Sequence, residues 1–445
     1  MYFFNNKNFY KFLIPSLLGI FLFVTPIKDK QNFTIPVAIM ANKLLDIIEN
    51  YSISIIYILI SISFLLTVLH KIFNLKFIRN KENIDKLFSP NNFWFIIRII
   101  GFIFATFLYF DIGPDFIIGN NTGGLVINEL MPILVCVFFL AGILLPLLLN
   151  FGLLDFFGAL LIRIMRPVFN LPGRSAIDCV ASWLGDGSIG VLLTSKQYEE
   201  GYYTRREATV IATTFSAVSI TFSIVVISEV GLEHMFIPFY GTVAFAGIIA
   251  AIIVPKIPPL SKIPDDFNNK KVFIEDIPKG YTPIKWGIKK AIEKAEKSEN
   301  IKSFFIEGFE NVFDMWFGTL PVILAFGTIA LIIAEYTPIF SIIGMPFIPI
   351  YKLLGIPEAV EASKTVIVGF ADMFLPSVMA NTIESDMTRF IISATSVTQL
   401  IYMSEIGSII MGSKIPVSFF NLFIIFIERT LITLPIISII AHILF

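Results

Sequence analysis

Two aspartates sit where a membrane protein can least easily keep them. Asp186 falls in the run Gly185, Asp186, Gly187, Ser188, Ile189, Gly190, inside an otherwise apolar stretch over 172–195. Asp372 closes the run Gly369, Phe370, Ala371 inside a second such stretch, 355–377. A carboxylate in that setting suits a coupling cation or a proton, because ionisable groups in lipid are costly and are kept for function. The alternative is that each caps the next half-helix with its own side chain. Both runs, the first of them glycine-rich, interrupt apolar sequence where a span would be deepest, and non-helical backbone is tolerated there only if protein buries it or water reaches it. A helix over 173–184 is about 18 Å long at ~1.5 Å per residue, roughly half of a ~30 Å hydrocarbon core. The spacing therefore predicts two re-entrant helical hairpins whose ends offer free N–H and C=O groups to a polar solute or small cation.

After each hairpin comes a hydroxyl-rich apolar run. The first carries Thr209, Thr213, Thr214, Ser216, Ser219, Thr221 and Ser223; the second carries Ser393, Thr395, Ser396, Thr398, Gln399 and Ser404. Such hydroxyls often bond only their own helix, but as matched stripes beside the hairpins they are candidate ligands. Glu405 lies well inside its run and is either an ion or proton site or the partner of Arg429. Glu129 and Asn128 open another apolar run as interfacial residues. The candidate solute-binding set is Gly185, Asp186, Gly187, Ser188, Thr213, Thr214, Ser216, Gly369, Asp372, Thr395, Ser396 and Gln399. Asp186, Asp372 and Glu405 are the candidate coupling residues.

Signals for catalysis are poor. His70, His234 and His442 are far apart, and no HExxH, Walker lysine or GxSxG order occurs. Cys136 and Cys179 form no metal or disulfide pattern, so no metal centre, cofactor or enzyme activity is expected.

The elements that must position these residues are membrane spans. With 445 residues, 56% hydrophobic and 15% charged, and a mean hydropathy of +0.81, the chain falls outside the soluble range. A net charge of −1 leaves no footprint for nucleic acid. The expected class is an all-α polytopic membrane protein with about nine transmembrane helices. Residues 1–124 hold the amino-terminal spans, 9–27, 51–69 and 93–112, with an interfacial amphipathic helix at 35–50. Residues 125–254 form a first repeat with hairpin 172–195, and 311–445 a second with hairpin 355–377. Between them 255–310 is a hydrophilic linker, its eleven lysines and nine acids over 256–310 indicating a solvated face. Lys/Arg-rich loops put the amino terminus and the linker in the cytoplasm and the carboxyl terminus outside.

Sliding the chain by 182 positions aligns Pro167 with Pro349, Gly173 with Gly355, Gly187 with Gly369, Ser195 with Ser377 and Thr213 with Thr395. The element order repeats too, and an odd number of passes between the two copies makes them inverted in the membrane.

The segment 167–219, with LPGRSAID, WLGDGSIG and TRREA as its most specific parts, resembles the YjiH family of bacterial inner-membrane proteins and the wider nucleoside-recognition, or Gate, group. That group includes concentrative nucleoside transporters, the membrane part of the ferrous-iron transporter FeoB, and spore maturation proteins A and B. The resemblance implies a bacterial inner-membrane location and paired hairpins that bind solute and cation, with residues 185–188 and 213–216 corresponding to such elements. The expected function is secondary transport of a small polar solute, nucleoside-like, amino acid or dipeptide, coupled to sodium or a proton. The alternative is a non-transporting subunit that assembles with copies of itself or a second Gate-domain protein.

Overall fold

The computed structural model describes residues 6–445 apart from 24, 26, 30, 31, 80, 81, 185, 186, 216, 217, 219, 268–276, 299, 300 and 382. Among the described residues its regular elements are helices, apart from one short antiparallel hairpin, in which Ile27–Asp29 pairs with Asn32–Thr34, and an isolated bridge between Thr204 and Phe267. Among the described residues, six helices are long and apolar enough to cross a membrane: Pro36–Phe73, Asn92–Phe110, Asp115–Leu149, Glu233–Lys256, Lys302–Tyr336 and Phe419–Leu444. The chain is a multi-pass membrane protein.

The two 35-residue helices, Asp115–Leu149 and Lys302–Tyr336, form the centre. Protein buries 72% and 67% of their apolar stretches, against 22% for the peripheral Asn92–Phe110. Their approach depends on glycines: a Cβ at Gly142 would lie 2.7 Å from Val312, and one at Gly308 would lie 2.9 Å from Ile143. Small residues at a helix crossing let backbones meet where lipid supplies no hydrophobic drive. The crossing is then fixed by polar bonds, Asn311 Nδ2 donating to Gly142 O (3.3 Å) and Trp316 Nε1 to Val135 O (3.2 Å). Each long helix contains one π-helical turn, Val126–Leu130 and Asp314–Thr319.

The order of elements after each long helix is the same. Leu153–Phe169 and then Ser175–Leu184 with Gly187–Glu199 follow the first; Ile339–Leu353 and then Ala359–Val368 with Leu375–Ala380 follow the second. Each expected hairpin stretch thus holds two short helices. The hydroxyl-rich apolar runs that follow the two hairpins are not continuous helices. The first comprises Arg205–Val210, a π turn at Ile211–Phe215, and Ile220–Glu229. The second stops at Gln399, where Leu400 takes φ +63°, and resumes as Ile406–Gly412. The first apolar helix, Asn6–Phe23, is also short for a span and carries Pro15.

Three other boundaries differ from expectation for physical reasons. The helix expected to lie alone in the interface, Pro36–Ile48, joins the span Ser52–Phe73 through a single 3-10 turn, and its Val37 and Ala41 are buried. The second long helix starts ahead of its apolar run, since its first charges, Lys302, Glu307 and Glu310, line a cavity edged by other charged side chains. The linker is not solvated all round. Its helix Pro283–Lys297 is capped by Thr282, whose hydroxyl accepts from Lys285 N–H, and it buries Gly287, Ala291 and Ala295 against Phe12, Phe156 and the Leu153–Phe169 helix.

That docking rests on Gly152, which has φ +90° and whose missing Cβ would sit 2.4 Å from Ala291 O. Gly152→Ala combines a left-handed strain with a backbone clash. It is expected to release the linker helix, seen as faster limited proteolysis within Pro283–Lys297; an unchanged digestion rate would show that the close approach is not what seats the helix.

Candidate functional site

The second hairpin and the second interrupted helix are joined by a short seam. Met403 N–H donates to Phe370 O and Ser404 N–H to Ala371 O, both at 2.8 Å. Asp372 completes it: Oδ1 accepts from the N–H groups of Phe374 (2.8 Å) and Leu375 (3.3 Å), and Oδ2 accepts from Ser404 Oγ (2.5 Å). The carboxylate thus caps the second half of the hairpin and ties it to the break in the neighbouring helix. Backbone groups that lipid could not satisfy are satisfied here by another piece of broken backbone.

Gln399 ends the helix Asp386–Gln399 and faces the same tip. Its Nε2 donates to Val366 O (3.0 Å) and to Thr430 Oγ1 (2.9 Å), while its buried Oε1 lies where a Cβ on Gly369 would approach to 2.1 Å. Only glycine fits at 369 with Gln399 in this position. One turn earlier, Thr395 is buried with no described partner for its hydroxyl. Ser396 donates to Ser393 O, Thr213 to Thr209 O and Thr214 to Val210 O. The hydroxyls of these three are therefore spent on their own helices.

The two interrupted helices meet at Arg429, on the terminal helix Phe419–Leu444 and fully buried. Its Nε and one terminal nitrogen donate to Thr398 O (3.0 and 2.9 Å), and the other terminal nitrogen donates to Thr214 O (3.1 Å). Pairing with Glu405 is not what holds it; Tyr402 Oη donates to Glu405 Oε2 at 3.3 Å instead. The guanidinium sits against carbonyls at the loose C-terminal ends of helical segments, where the partial charge is negative. Beside it is a cavity of about 50 Å³ lined by Trp183, Thr214, Phe215, Tyr240, Leu400 and Arg429, among others. That is room for a water molecule or two. The first hairpin reaches the same place, through Trp183 Nε1 donating to Phe215 O (3.3 Å).

The base of the first hairpin holds residues that motif reading had not singled out. Asp178 is buried and accepts from Gln197 Nε2 (2.7 Å), Thr194 Oγ1 (3.0 Å) and Tyr203 Oη (2.9 Å). Arg174 stacks on Tyr202, 3.7 Å from the ring centre. LPGRSAID is thus a clip that locks the two halves of the hairpin together. TRREA is a junction: Thr204 and Glu207 form a capping box, Arg166 pairs with Glu207 (2.6 Å), and Arg206 donates to Pro255 O (3.0 Å). Where Gly187–Glu199 ends, a second, larger cavity of about 700 Å³ opens among charged side chains that include Lys196, Glu200, Lys302, Asp314 and Lys414.

Among the candidate residues, the structure brings Gly369, Asp372 and Gln399 together at the second tip and places Thr214 under Arg429. Gly187 and Ser188 form the first turn of Gly187–Glu199, apart from that seam. Gly185, Asp186 and Ser216 lie outside the described residues.

These features define a multi-pass helical membrane protein. Residues 131–233 match the family model described as Gate, nucleoside recognition. The chain belongs to the same family as the "Uncharacterized protein BpOF4_10220" of Alkalihalophilus pseudofirmus, to which it is 50% identical over 442 residues, spanning 99% of this chain and 96% of that protein. A solved structure of CNTnw in an outward-facing state aligns with 92% of this chain and 98% of that one, at 14% identity and a TM-score of 0.35.

Removing Arg429 deletes three charge-assisted bonds, each worth ~1.5–3 kcal/mol before relief of the buried charge is counted. Arg429→Ala is expected to lower the thermal unfolding midpoint of the detergent-purified protein. Arg429→Lys should fall between Ala and wild type, because a compact ammonium cannot span both carbonyls. Equal midpoints for all three would remove the clamp from the account.

At the larger cavity, burial holds the Glu200 carboxyl above its usual range, reinforced by Glu307 and opposed by Lys294. A folded-state pKa above the unfolded one means that protonation favours the folded state, so stability falls as pH rises through the folded value. Glu200→Gln should therefore gain in unfolding midpoint over wild type as pH rises and lose that advantage in acid. A gap that does not change with pH counts against the assignment.

Proposed function

We propose that this protein is a secondary transporter of a small polar solute, driven by a cation or a proton. The observation that carries the reading is the pair of interrupted helices in the buried interior, the second seamed to a hairpin tip and both held by Arg429. Broken helices beside hairpins are the membrane solution for exposing backbone donors and acceptors to cargo. A joint made of a few hydrogen bonds can also re-form as one half rocks or slides against the other. The match to a domain described as nucleoside recognition supports including nucleosides among the solutes tested.

In this reading residues 125–254 and 311–445 are the two inverted repeats and the amino-terminal spans are the scaffold, which also suits assembly with a second copy. The protein lies in the bacterial inner membrane, with its linker in the cytoplasm. Asp186 and Glu405 are the coupling carboxylates. Asp372, with both oxygens engaged, holds the seam through which the second hairpin moves. The solute contacts come from the backbone at 185–188 and from Thr395 and Gln399, whose oxygens lack described partners.

The test is uptake into liposomes holding the purified protein, with nucleosides, amino acids and dipeptides offered under sodium or proton gradients. Gradient-dependent uptake of at least one solute is expected. Asp186→Asn or Glu405→Gln should uncouple it, leaving exchange but abolishing accumulation. Absence of uptake across the panel, with a partner protein co-purifying, would favour a non-transporting subunit.

A further inference from the structure

The 700 Å³ cavity at the base of the first hairpin lies within the ~300–1,000 Å³ typical of small-molecule sites. Five carboxylates and three lysines line it among the described residues. Some of these charges are already matched. Lys196 pairs with Glu199 at 3.5 Å, and Glu307 accepts from Asn150 Nδ2 at 2.7 Å. Others feel opposite charge only at a distance, Glu200 from Lys294 and Lys414 from Glu199: the side chains of Glu200, Asp314, Lys302 and Lys414 make no hydrogen bond or salt bridge with any described residue, yet all four face this one space. They come from four places in the chain: the turn after the first hairpin, the second long helix at its start and at its π turn, and the loop before the terminal helix. Asp314 opens that π turn, a distortion common at functional positions. It also lies within electrostatic reach of Lys196 and of the buried Arg98 on the Asn92–Phe110 helix.

Charges of both signs around one half-open space, these four without a hydrogen bond or salt bridge of their own, complement a solute that carries both. A neutral nucleoside would shield these groups from water without meeting their charge, which is costly. The one amide on the wall, Asn311, already donates to Gly142 O.

We propose that this cavity binds an amino-acid-like zwitterion, its ammonium held by Asp314 and Glu200 and its carboxylate by Lys302 and Lys414. The apolar remainder of the solute would lie along Phe309 and Phe313, which also face the cavity. The assignment deepens the transporter reading by naming the class of cargo, but binding here can be tested without transport.

The experiment is calorimetric titration of the full-length protein in lipid nanodiscs with L-leucine, L-alanyl-L-alanine, N-acetyl-L-leucine, L-leucinamide and uridine. Leucine or the dipeptide is expected to bind. Blocking the amine by acetylation, or the carboxylate as the amide, should weaken binding at least tenfold. Asp314→Asn and Lys302→Met should each weaken the free zwitterion at least tenfold, and Lys302→Met should leave leucinamide within about twofold of its wild-type affinity. If Asp314→Asn fails to fold, the blocked ligands on the wild-type protein report the same contacts. Uridine binding with no response to either zwitterion overturns the proposal, as does equal affinity for leucine and N-acetyl-leucine, or silence from every probe. Zwitterion binding without gradient-driven uptake leaves this site standing and removes the transporter reading instead.

Discussion

One buried guanidinium sets the geometry of the centre. Arg429 cannot reach water, so its charge must be met inside the protein, and it is met by main-chain carbonyls at Thr398 and Thr214. Those carbonyls lie where two helices from different halves of the chain lose their regular bonding. An intact helix would have no such groups to offer, and without the arginine the interruptions would leave acceptors unsatisfied in a dry interior. Each feature makes the other tolerable. The planar fork of arginine matters because it divides its donors between two targets, which a lysine ammonium does less well.

Around that point the two halves solve the same problem with different chemistry. In the second half the hairpin tip and the broken helix exchange backbone bonds, and Asp372 bridges them with both oxygens. In the first half the described contact is a single indole N–H, Trp183 to Phe215 O, while the polar investment lies at the hairpin base, in Asp178 and its three donors. The second hairpin is pinned at its tip and the first is clipped at its foot. Packing follows this division: Gly190, whose Cβ would come within 2.7 Å of Ser182 Cβ, lets the two helices of the first hairpin lie close together.

The architecture was legible because it follows from periodicity and from cost. Apolar runs mark spans, glycine–aspartate knots inside them mark hairpins, and the 182-residue offset relates the two halves. The site was less legible, since a side chain's partner depends on folds of chain hundreds of residues apart. Asp372 and Thr213 stood out by type and place; only the contacts show that the first caps a helix and ties Ser404 and that the second bonds its own backbone. Arg429 was visible as a charge in an apolar run, with Glu405 read as either its partner or an ion site, and carbonyls hold it instead. Asp314 and Asp178 were given no role from the sequence, although Asp178 lies within LPGRSAID, because their partners come from elsewhere in the chain. The extent of the second long helix was missed for a related reason: hydropathy treats Lys302, Glu307 and Glu310 as the end of a membrane segment, whereas a helix can continue past its apolar run when those charges face a cavity.

The large cavity and the arginine joint are connected by a single stiff piece. Gly187–Glu199 is 13 residues long, about 20 Å at ~1.5 Å per residue. It ends at the cavity, and Asp178 locks it to Ser175–Leu184, whose Trp183 reaches the joint. The buried, three-fold hydrogen-bonded clip makes the two helices of the hairpin one body, so a displacement at its foot is carried to Trp183 beside Arg429. A change of charge at the cavity therefore has a mechanical route to the arginine joint, which links the two halves together with contacts such as Asn311 to Gly142 O and Trp316 to Val135 O.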